Sequence, residues 1–269
     1  MTALDIIIVN YNTRRDLDVC LRSLHDAPPA RPHHIVVVDN ASSDDSVAHT
    51  RQHFPAVHVI EMGRNAGFAA ANNAGIRATA SPLVVLLNSD TVVPAGALDR
   101  LCNRLEATGA TAAGPRLLDG HGHPELSWGP MLTPWAEHRQ GRLVKAAERG
   151  DATARAQVKA MTSAERDVDW VSGACLLVVR DAAIAAGLLD ERYFMYEEDV
   201  DFCAALRDAG GRILFTPAAE ITHLRGRSMS SAAPRTPSHY DESHLRFYEK
   251  HAPHWVPWLR AWKRLKGRL

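Results

Sequence analysis

Leu83-Val84-Val85-Leu86-Leu87-Asn88-Ser89-Asp90-Thr91 is an apolar run that stops abruptly at polar residues. Five consecutive aliphatic side chains with no alternation describe a strand buried on both faces. The same pattern recurs upstream. Ile6-Ile7-Ile8-Val9 ends at Asn10-Tyr11-Asn12, and Ile35-Val36-Val37-Val38 ends at Asp39-Asn40-Ala41-Ser42. Residues 57–60 read as a third, shorter strand. Helical patterns separate these runs. Residues 16–25 place Leu17, Cys20, Leu21 and Leu24 at helical spacing. A short helix is expected after Asp39, with Ser42 or Ser43 as N-cap. An Ala- and Asn-rich helix follows Gly67 over residues 69–79, and another covers residues 95–107. Strands alternating with helices predict an α/β fold with a mainly parallel sheet flanked by helices. Ligands bind such sheets beyond the carboxyl ends of the strands. Three polar clusters at three neighbouring ends therefore mark a site.

The rest of the chain is less regular. Residues 114–134 are rich in Gly, His and Pro and read as loop. Residues 135–166 are charged, Ala-rich and helical in pattern, which suits a solvated excursion or a lid. A buried strand-like run follows over residues 171–179, then a short helix over 181–186 and a helix over 198–209 stopped by Gly210-Gly211. Residues 212–215 are a strand closed by Thr216-Pro217.

The 269 residues carry 31 Lys+Arg and 31 Asp+Glu, with 23% charged and 46% hydrophobic residues. That composition excludes a disordered chain, a fibre and a dedicated polycation for nucleic acid. Cys20, Cys102, Cys175 and Cys203 are widely spaced and predict reduced thiols in a cytosolic protein. The first residues show no signal-peptide pattern. The apolar runs of five or six residues fall far short of the roughly 20 that span a bilayer. The zero net charge conceals an asymmetry: residues 245–269 sum to +6, so residues 1–244 sum to −6.

The chain has no GxGxxG after the first strand and no GxxxxGK[ST], HExxH or GxSxG. Phosphates would then be neutralised by a metal on carboxylates. Asn88 and Asp90, at i and i+2 beyond a buried strand, can share one ligand. Tyr196-Glu197-Glu198-Asp199 opens a helix. Acidic first turns complement the helix dipole, but carboxylates flanked by Phe194-Met195-Tyr196 suit the lining of a cleft and general-base work. His223 gains interest only beside Asp90 and Asp199.

These blocks together resemble the family 2 inverting glycosyltransferases of the GT-A fold, most closely their bacterial rhamnosyltransferase-like branch. The matching strings are IIIVNYN at 6–12, VVVDNASSDDS at 36–46, NAGFAAANNAGI at 65–76, LVVLLNSDT at 83–91, SGACLLVVR at 172–180 and GLLDERYFMYEEDVDFCAALRDAGGRI at 187–213, then His223 and Gly226. The resemblance implies a GT-A type single domain over residues 1–244, with a nucleotide-binding half (1–115) and an acceptor and catalytic half (116–244). A basic aromatic tail, helical in character, occupies 245–269.

The resemblance also implies roles. Tyr11 stacks on a pyrimidine and Asp39 accepts from its N3–H, which suits uracil or thymine. Asn65, Gly67 and Asn72 close over the nucleoside. Asp90 matches the last residue of the family's DxD motif and would hold a divalent cation, Mg²⁺ or Mn²⁺, with His223 as a further ligand. Asn88 stands where many relatives carry Asp; its amide would ligate or contact the ribose. Asp199 matches the catalytic base, with Glu198 the alternative. Trp170, Ser172, Gly173 and Glu197 would border the sugar and acceptor; Trp170 and Trp128 each suit either a sugar face or packing in the core or a loop. The donor is a dTDP- or UDP-sugar, dTDP-L-rhamnose first. The acceptor is a glycan or polyprenyl-linked glycan of cell-surface polysaccharide synthesis.

The tail interleaves basic residues with Trp255, Trp258 and Trp262. This suits either an anionic membrane headgroup region or a helix packed on the domain. The expected location is cytoplasmic, or peripheral on the inner face of the plasma membrane, with no role in nucleic-acid binding. A nucleotidyltransferase fits the sheet and metal but needs a Gly-rich basic loop after the first strand, where this chain has Asn10 to Arg15 without glycine. A non-catalytic sugar-nucleotide-binding protein fits the first half but does not explain Glu197 to Asp199.

Overall fold

The computed structural model describes residues 1–224 and 236–267. Gly226, Arg268 and Leu269 lie outside the described residues. Strands β1 (Leu4–Asn10), β2 (His33–Asp39), β3 (His58–Glu61) and β4 (Leu83–Asn88) alternate with helices α1 (Arg14–Asp26), α2 (Ser46–His53) and α3 (Phe68–Arg77). They lie in the order β3-β2-β1-β4, all parallel. Register aligns their ends: Asn10 pairs with Asp39, and Val9 with Asn88. The three polar clusters therefore share one sheet edge.

The buried strands divide their side chains by parity. Ile6, Ile8, Val85 and Leu87 pack with Leu17, Leu21, Leu98 and Leu101 on one face. Ile7, Val9, Val84 and Leu86 pack with Ala69, Ile76, Phe202 and Leu206 on the other. Each fully buried aliphatic side chain contributes about 1.5–3 kcal/mol, so both helical layers are held firmly to this sheet.

The second half extends the sheet through β5 (Thr91–Val92), β6 (Ala112–Leu118), β8 (Arg166–Val168), β10 (Cys175–Val179) and β11 (Ile213–His223). α4 (Ala97–Thr108) precedes β6. β10 runs antiparallel between β4 and β6, while β6 and β11 are parallel to each other. Six of the nine strands thus share one direction. A separate pair joins β7 (Trp128–Gly129) to β9 (Trp170–Val171).

The structure differs from the sequence expectation here. Gly114-Pro115 lies inside β6, and β11 continues beyond Pro217 to His223. Both prolines are tolerated because the β6–β11 register shifts between Thr216 and Glu220. The 171–179 run is broken at Ser172-Gly173-Ala174. α2 starts after Asp45, and Ser42 instead hydrogen-bonds Asp39.

Residues 134–161 form α5 (Pro134–Glu148) and α6 (Ala152–Met161). They are not a solvated excursion: Val158 is buried, and Leu143, Val144 and Ala147 pack on the core. After α7 (Arg180–Ala185) and α8 (Glu198–Asp208), the chain ends in α9 (Thr236–His251) and α10 (Val256–Leu265). Leu245, Phe247, Tyr248 and Leu259 are buried against Tyr193 and Val200, so one face of the tail packs on the body. The four cysteines are free and buried.

Candidate active site

A cleft of about 1280 Å³ opens at the aligned strand ends. This exceeds the roughly 300–1,000 Å³ of an ordinary ligand pocket, which leaves room for two substrates. Tyr11, Asn65, Gly67, Asn88, Asp90, Trp170, Ser172, Gly173, Glu197, Glu198, Asp199 and His223 all line it. Of the described candidates singled out in sequence, Asp39, Asn72 and Trp128 are not part of this lining.

Asp39 is 2% exposed. Its Oδ1 accepts from Asn10 Nδ2 (2.9 Å) and Ser42 Oγ (2.6 Å), and its Oδ2 accepts from the Ser42 N–H (2.9 Å). Asn40, at the same strand end, pins the next loop. Its Nδ2 donates to the Gly67 carbonyl (3.1 Å), and its Oδ1 accepts from the Ala66 N–H (2.9 Å). Asn65 Oδ1 accepts from the Gly67 N–H at 3.1 Å. Gly67 has φ +91°, and a Cβ there would stand 2.6 Å from the Phe194 carbonyl oxygen. Only glycine allows this close approach, which the Phe68 N–H to Phe194 carbonyl bond (2.8 Å) completes. Asn72 Nδ2 donates to the Phe68 carbonyl (3.0 Å) and so braces the start of α3.

Asp90 is 3% exposed. The antiparallel pairing of β5 with β11 brings His223 to it, with Nε2 3.3 Å from Asp90 Oδ1. His223 Nδ1 lies 3.5 Å from Glu125 Oε2, and Asn88 Nδ2 lies 3.5 Å from His223 Nε2. Burial opposes charge on the imidazole, but Asp90 and Glu125 on either side outweigh it and hold His223 up to about 9. Sequence reasoning missed Glu125, which sits in the stretch read as loop. A carboxylate and an imidazole 3.3 Å apart are within a few tenths of an ångström of the roughly 3.0 Å between adjacent ligands on an octahedral cation with bonds of about 2.1 Å. Two protein ligands leave positions for phosphate and water, so the residues fit a divalent cation.

The acidic trio enters α8 through a strained turn. Tyr196 (φ 72°) and Glu197 (φ 66°) are both left-handed, which is costly for side chains of this size. Asp199 Oδ2 accepts from the Gly173 N–H (2.7 Å) and Oδ1 from the Val200 N–H (2.9 Å). A Cβ on Gly173 would lie 3.2 Å from Asp199 Cβ, so the small residue lets the carboxylate reach this backbone. Burial raises the Asp199 pKa above its ordinary value, while the two backbone N–H groups oppose the rise.

Glu198 differs. Its Oε2 has no hydrogen-bond partner among the described residues. Burial, and then the charge of Asp199, push its carboxyl up to about 8. The folded chain therefore favours the neutral form of Glu198. A carboxyl raised in the folded state favours folding at low pH and loses that contribution as pH rises through about 8. Glu198→Gln keeps the neutral form, so it is expected to raise the melting temperature more at pH 9 than at pH 6. Equal melting shifts at both pH values in calorimetry would overturn this assignment.

Glu197 faces the tail. Burial pushes its carboxyl well up, and the Glu137, Asp199 and Glu198 carboxylates add to the rise. Glu137 of α5 meets His244 Nε2 of α9 at 2.7 Å and accepts from the Tyr248 hydroxyl. Glu137, Tyr240 and His239 line the same cleft. No short motif in the sequence carried these residues. Trp170 presents its ring to the cleft, and its Nε1 donates to the Pro130 carbonyl (2.9 Å). Ser172 fixes the adjoining turn through its N–H to the Ser127 carbonyl (2.8 Å). Trp128 is a core residue, packed on Phe215 at 5.6 Å and under Arg166.

The chain belongs to glycosyl transferase family 2, whose model matches residues 5–165, and is therefore a glycosyltransferase. Its relatives include the N-acetylglucosaminyl-diphospho-decaprenol L-rhamnosyltransferase of Mycobacterium tuberculosis, 30% identical over 99% of this chain and 90% of that protein. The low-salt glycan biosynthesis hexosyltransferase Agl10 of Haloferax volcanii is 28% identical over 76% of this chain and 61% of its own length. Among solved structures, GalNAc-T7 with UDP, GalNAc and Mn²⁺ superposes with a TM-score of 0.67 at 16% identity. It matches 95% of this chain, which spans half of that structure. The mannosyltransferase PcManGT of Pyrobaculum calidifontis, with GDP-Man and Mn²⁺, superposes at 0.61 and 18% identity, covering 96% of this chain and 68% of its own. These likenesses establish the GT-A fold. The nucleotidyltransferase and binding-only alternatives give way to family membership. Asp199 and His223 lie beyond the matched 5–165 segment, in the part shared with the mycobacterial relative.

Proposed function

We propose that the chain is an inverting rhamnosyltransferase of cell-surface polysaccharide synthesis. It moves L-rhamnose from dTDP-L-rhamnose to a hydroxyl of a polyprenyl-diphosphate-linked N-acetylglucosamine. Other dTDP- or UDP-sugars are the competing donors. The observation that carries this is one cleft lined by both Asp90–His223 and the backbone-anchored Asp199, in a chain collinear with a mycobacterial L-rhamnosyltransferase.

Residues 1–115 take the nucleoside diphosphate. Tyr11 stacks on the pyrimidine, and Asp39 Oδ2 retains an acceptor position for N3–H. The 65–67 loop and the braced start of α3 at Asn72 close over the nucleoside, and Asn88 meets the ribose or cation. Asp90 and His223 would hold a divalent cation, Mg²⁺ or Mn²⁺, which would supply positive charge to stabilise the departing diphosphate.

Asp199 removes the proton of the acceptor hydroxyl as that oxygen forms its bond to the anomeric carbon. The bond from that carbon to the diphosphate breaks on the opposite face, and the electron pair leaves with the diphosphate. One displacement inverts the centre. Glu198, whose carboxyl is pushed up toward its neutral form and has no backbone N–H on Oε2 among the described residues, is the less favoured base. Residues 116–244 shape the acceptor side, where Trp170, Ser172, Gly173 and Glu197 border the sugar and acceptor. The lipid-linked acceptor places the enzyme on the inner face of the plasma membrane; no described helix is long and apolar enough to cross it.

A thermal-shift screen of nucleotide sugars with Mn²⁺ and Mg²⁺ tests the donor. dTDP-L-rhamnose is expected to give the largest cation-dependent shift. A larger shift with a GDP-sugar would overturn both the base and sugar assignments.

A further inference from the structure

Helix α10 is buried on one edge and uncovered on the other. Its inner edge carries Leu259 and Lys263, both buried, and Lys263 is paired with Asp241 of α9. Trp255 and Val256 pack on the cluster of Phe247 and Tyr248. With 3.6 residues per turn, Trp258, Ala261, Trp262 and Leu265 fall together on the outer side. Trp258 is 50% exposed, Trp262 38% and Leu265 87%. The two indoles stack at 6.4 Å with planes 11° apart. Arg264 lies on one flank of this strip and Lys266 on the other, both exposed, while Arg260 sits nearer the inner edge and pairs with Glu249 at 2.6 Å. Residues 250–269 contain no Asp or Glu.

We propose that this outer face of α10 docks the chain on an anionic lipid surface. Indoles settle at the headgroup level of a bilayer, and flanking cations meet lipid phosphates. An anionic bilayer satisfies the aromatic strip and both cationic flanks at once; an apolar protein groove would leave the flanks uncompensated. Docking also orients the enzyme. α9 carries Tyr240 into the cleft lining, and the Lys263 ammonium lies 5.8 Å from the Tyr240 ring. The docked helix is thus one residue contact from the wall formed by Glu137, Glu197 and Tyr240. This orientation rests on the lipid-linked acceptor proposed above; the docking itself does not.

The test is sedimentation of the full chain with phosphatidylglycerol/phosphatidylethanolamine vesicles, and with phosphatidylcholine vesicles, without donor or acceptor. Binding to the anionic vesicles is expected, roughly tenfold weaker on phosphatidylcholine and weaker as salt rises. W258S/W262S and R264E/K266E are each expected to lower vesicle affinity roughly tenfold or more. R264E/K266E alters exposed charges only and carries the test if the tryptophan pair fails to fold. Unchanged binding in both variants overturns the proposal. So does a wild-type dimer that W258S/W262S converts to monomer, which would assign the face to a second copy. Donor titration in parallel separates the two ideas. A chain that binds donor but no anionic vesicle refutes docking and leaves glycosyl transfer standing.

Discussion

Asp199→Asn is expected to lower turnover by roughly 10²–10⁴-fold, the range of a lost general base, while donor affinity stays within about twofold. The amide keeps the size of the carboxylate and an oxygen for the Gly173 N–H, which now donates to Oδ2 at 2.7 Å. It cannot take a proton from the acceptor hydroxyl. Turnover on a lipid-linked acceptor and calorimetric titration of the donor separate the two effects. Equal loss of donor binding would sink the assignment. The pH profile supplies a second reading. Burial raises the Asp199 pKa, and the base works only when ionised. Activity is therefore expected to fall toward acid along a limb lying above the ordinary carboxylate value of about 3.9. Asp199→Asn should remove that limb from the residual rate. Glu198→Gln, by contrast, should retain most of the turnover, because the fold already favours the neutral form of Glu198.

Asp90→Ala is expected to abolish the cation dependence of donor binding. Partners one shell out from a metal cost roughly 10–100-fold in affinity when removed, and a direct ligand should cost at least as much. Asp90 is also the carboxylate facing His223 Nε2 at 3.3 Å. Its loss leaves the imidazole with Glu125, 3.5 Å from Nδ1, as its neighbouring carboxylate among the described residues. Calorimetry of the nucleoside diphosphate with and without Mn²⁺ reads the effect directly. Unchanged affinity in both titrations would remove Asp90 from the cation site. Asp90→Asn keeps one oxygen and should fall between wild type and alanine. Metal binding and proton abstraction are assigned to different residues, so the two variants should fail in different ways. Asp90→Ala should lose donor binding, whereas Asp199→Asn should lose only the chemistry.

Much of the first half of the chain was legible from residues alone. Strand signals such as Leu83 to Leu87 are local, because a run buried on both faces needs no alternation and ends where it meets solvent. Parallel pairing then aligns such ends, so Asn10, Asp39 and Asn88 form one edge by register. The acidic trio was equally visible, since carboxylates beside Phe194-Met195-Tyr196 suited a cleft wall.

The second half depended on contacts between distant positions. β6 runs through Gly114-Pro115, a turn signal in isolation, because its register shift with β11 leaves room for proline. His223 reaches Asp90 only through the β5–β11 pairing, and Glu125 joins them from a stretch with no motif of its own. Burial and hydrogen bonding separated neighbouring carboxylates that sequence could not rank. Asp199 has two backbone N–H groups, while Glu198 Oε2 has no partner among the described residues. The tail's composition fitted both a membrane and a packed helix. Packing divided its faces, turning Leu259 and Lys263 inward and leaving Trp258, Trp262 and Leu265 outward. Composition states which groups are present; their desolvation and partners depend on which surfaces the fold closes.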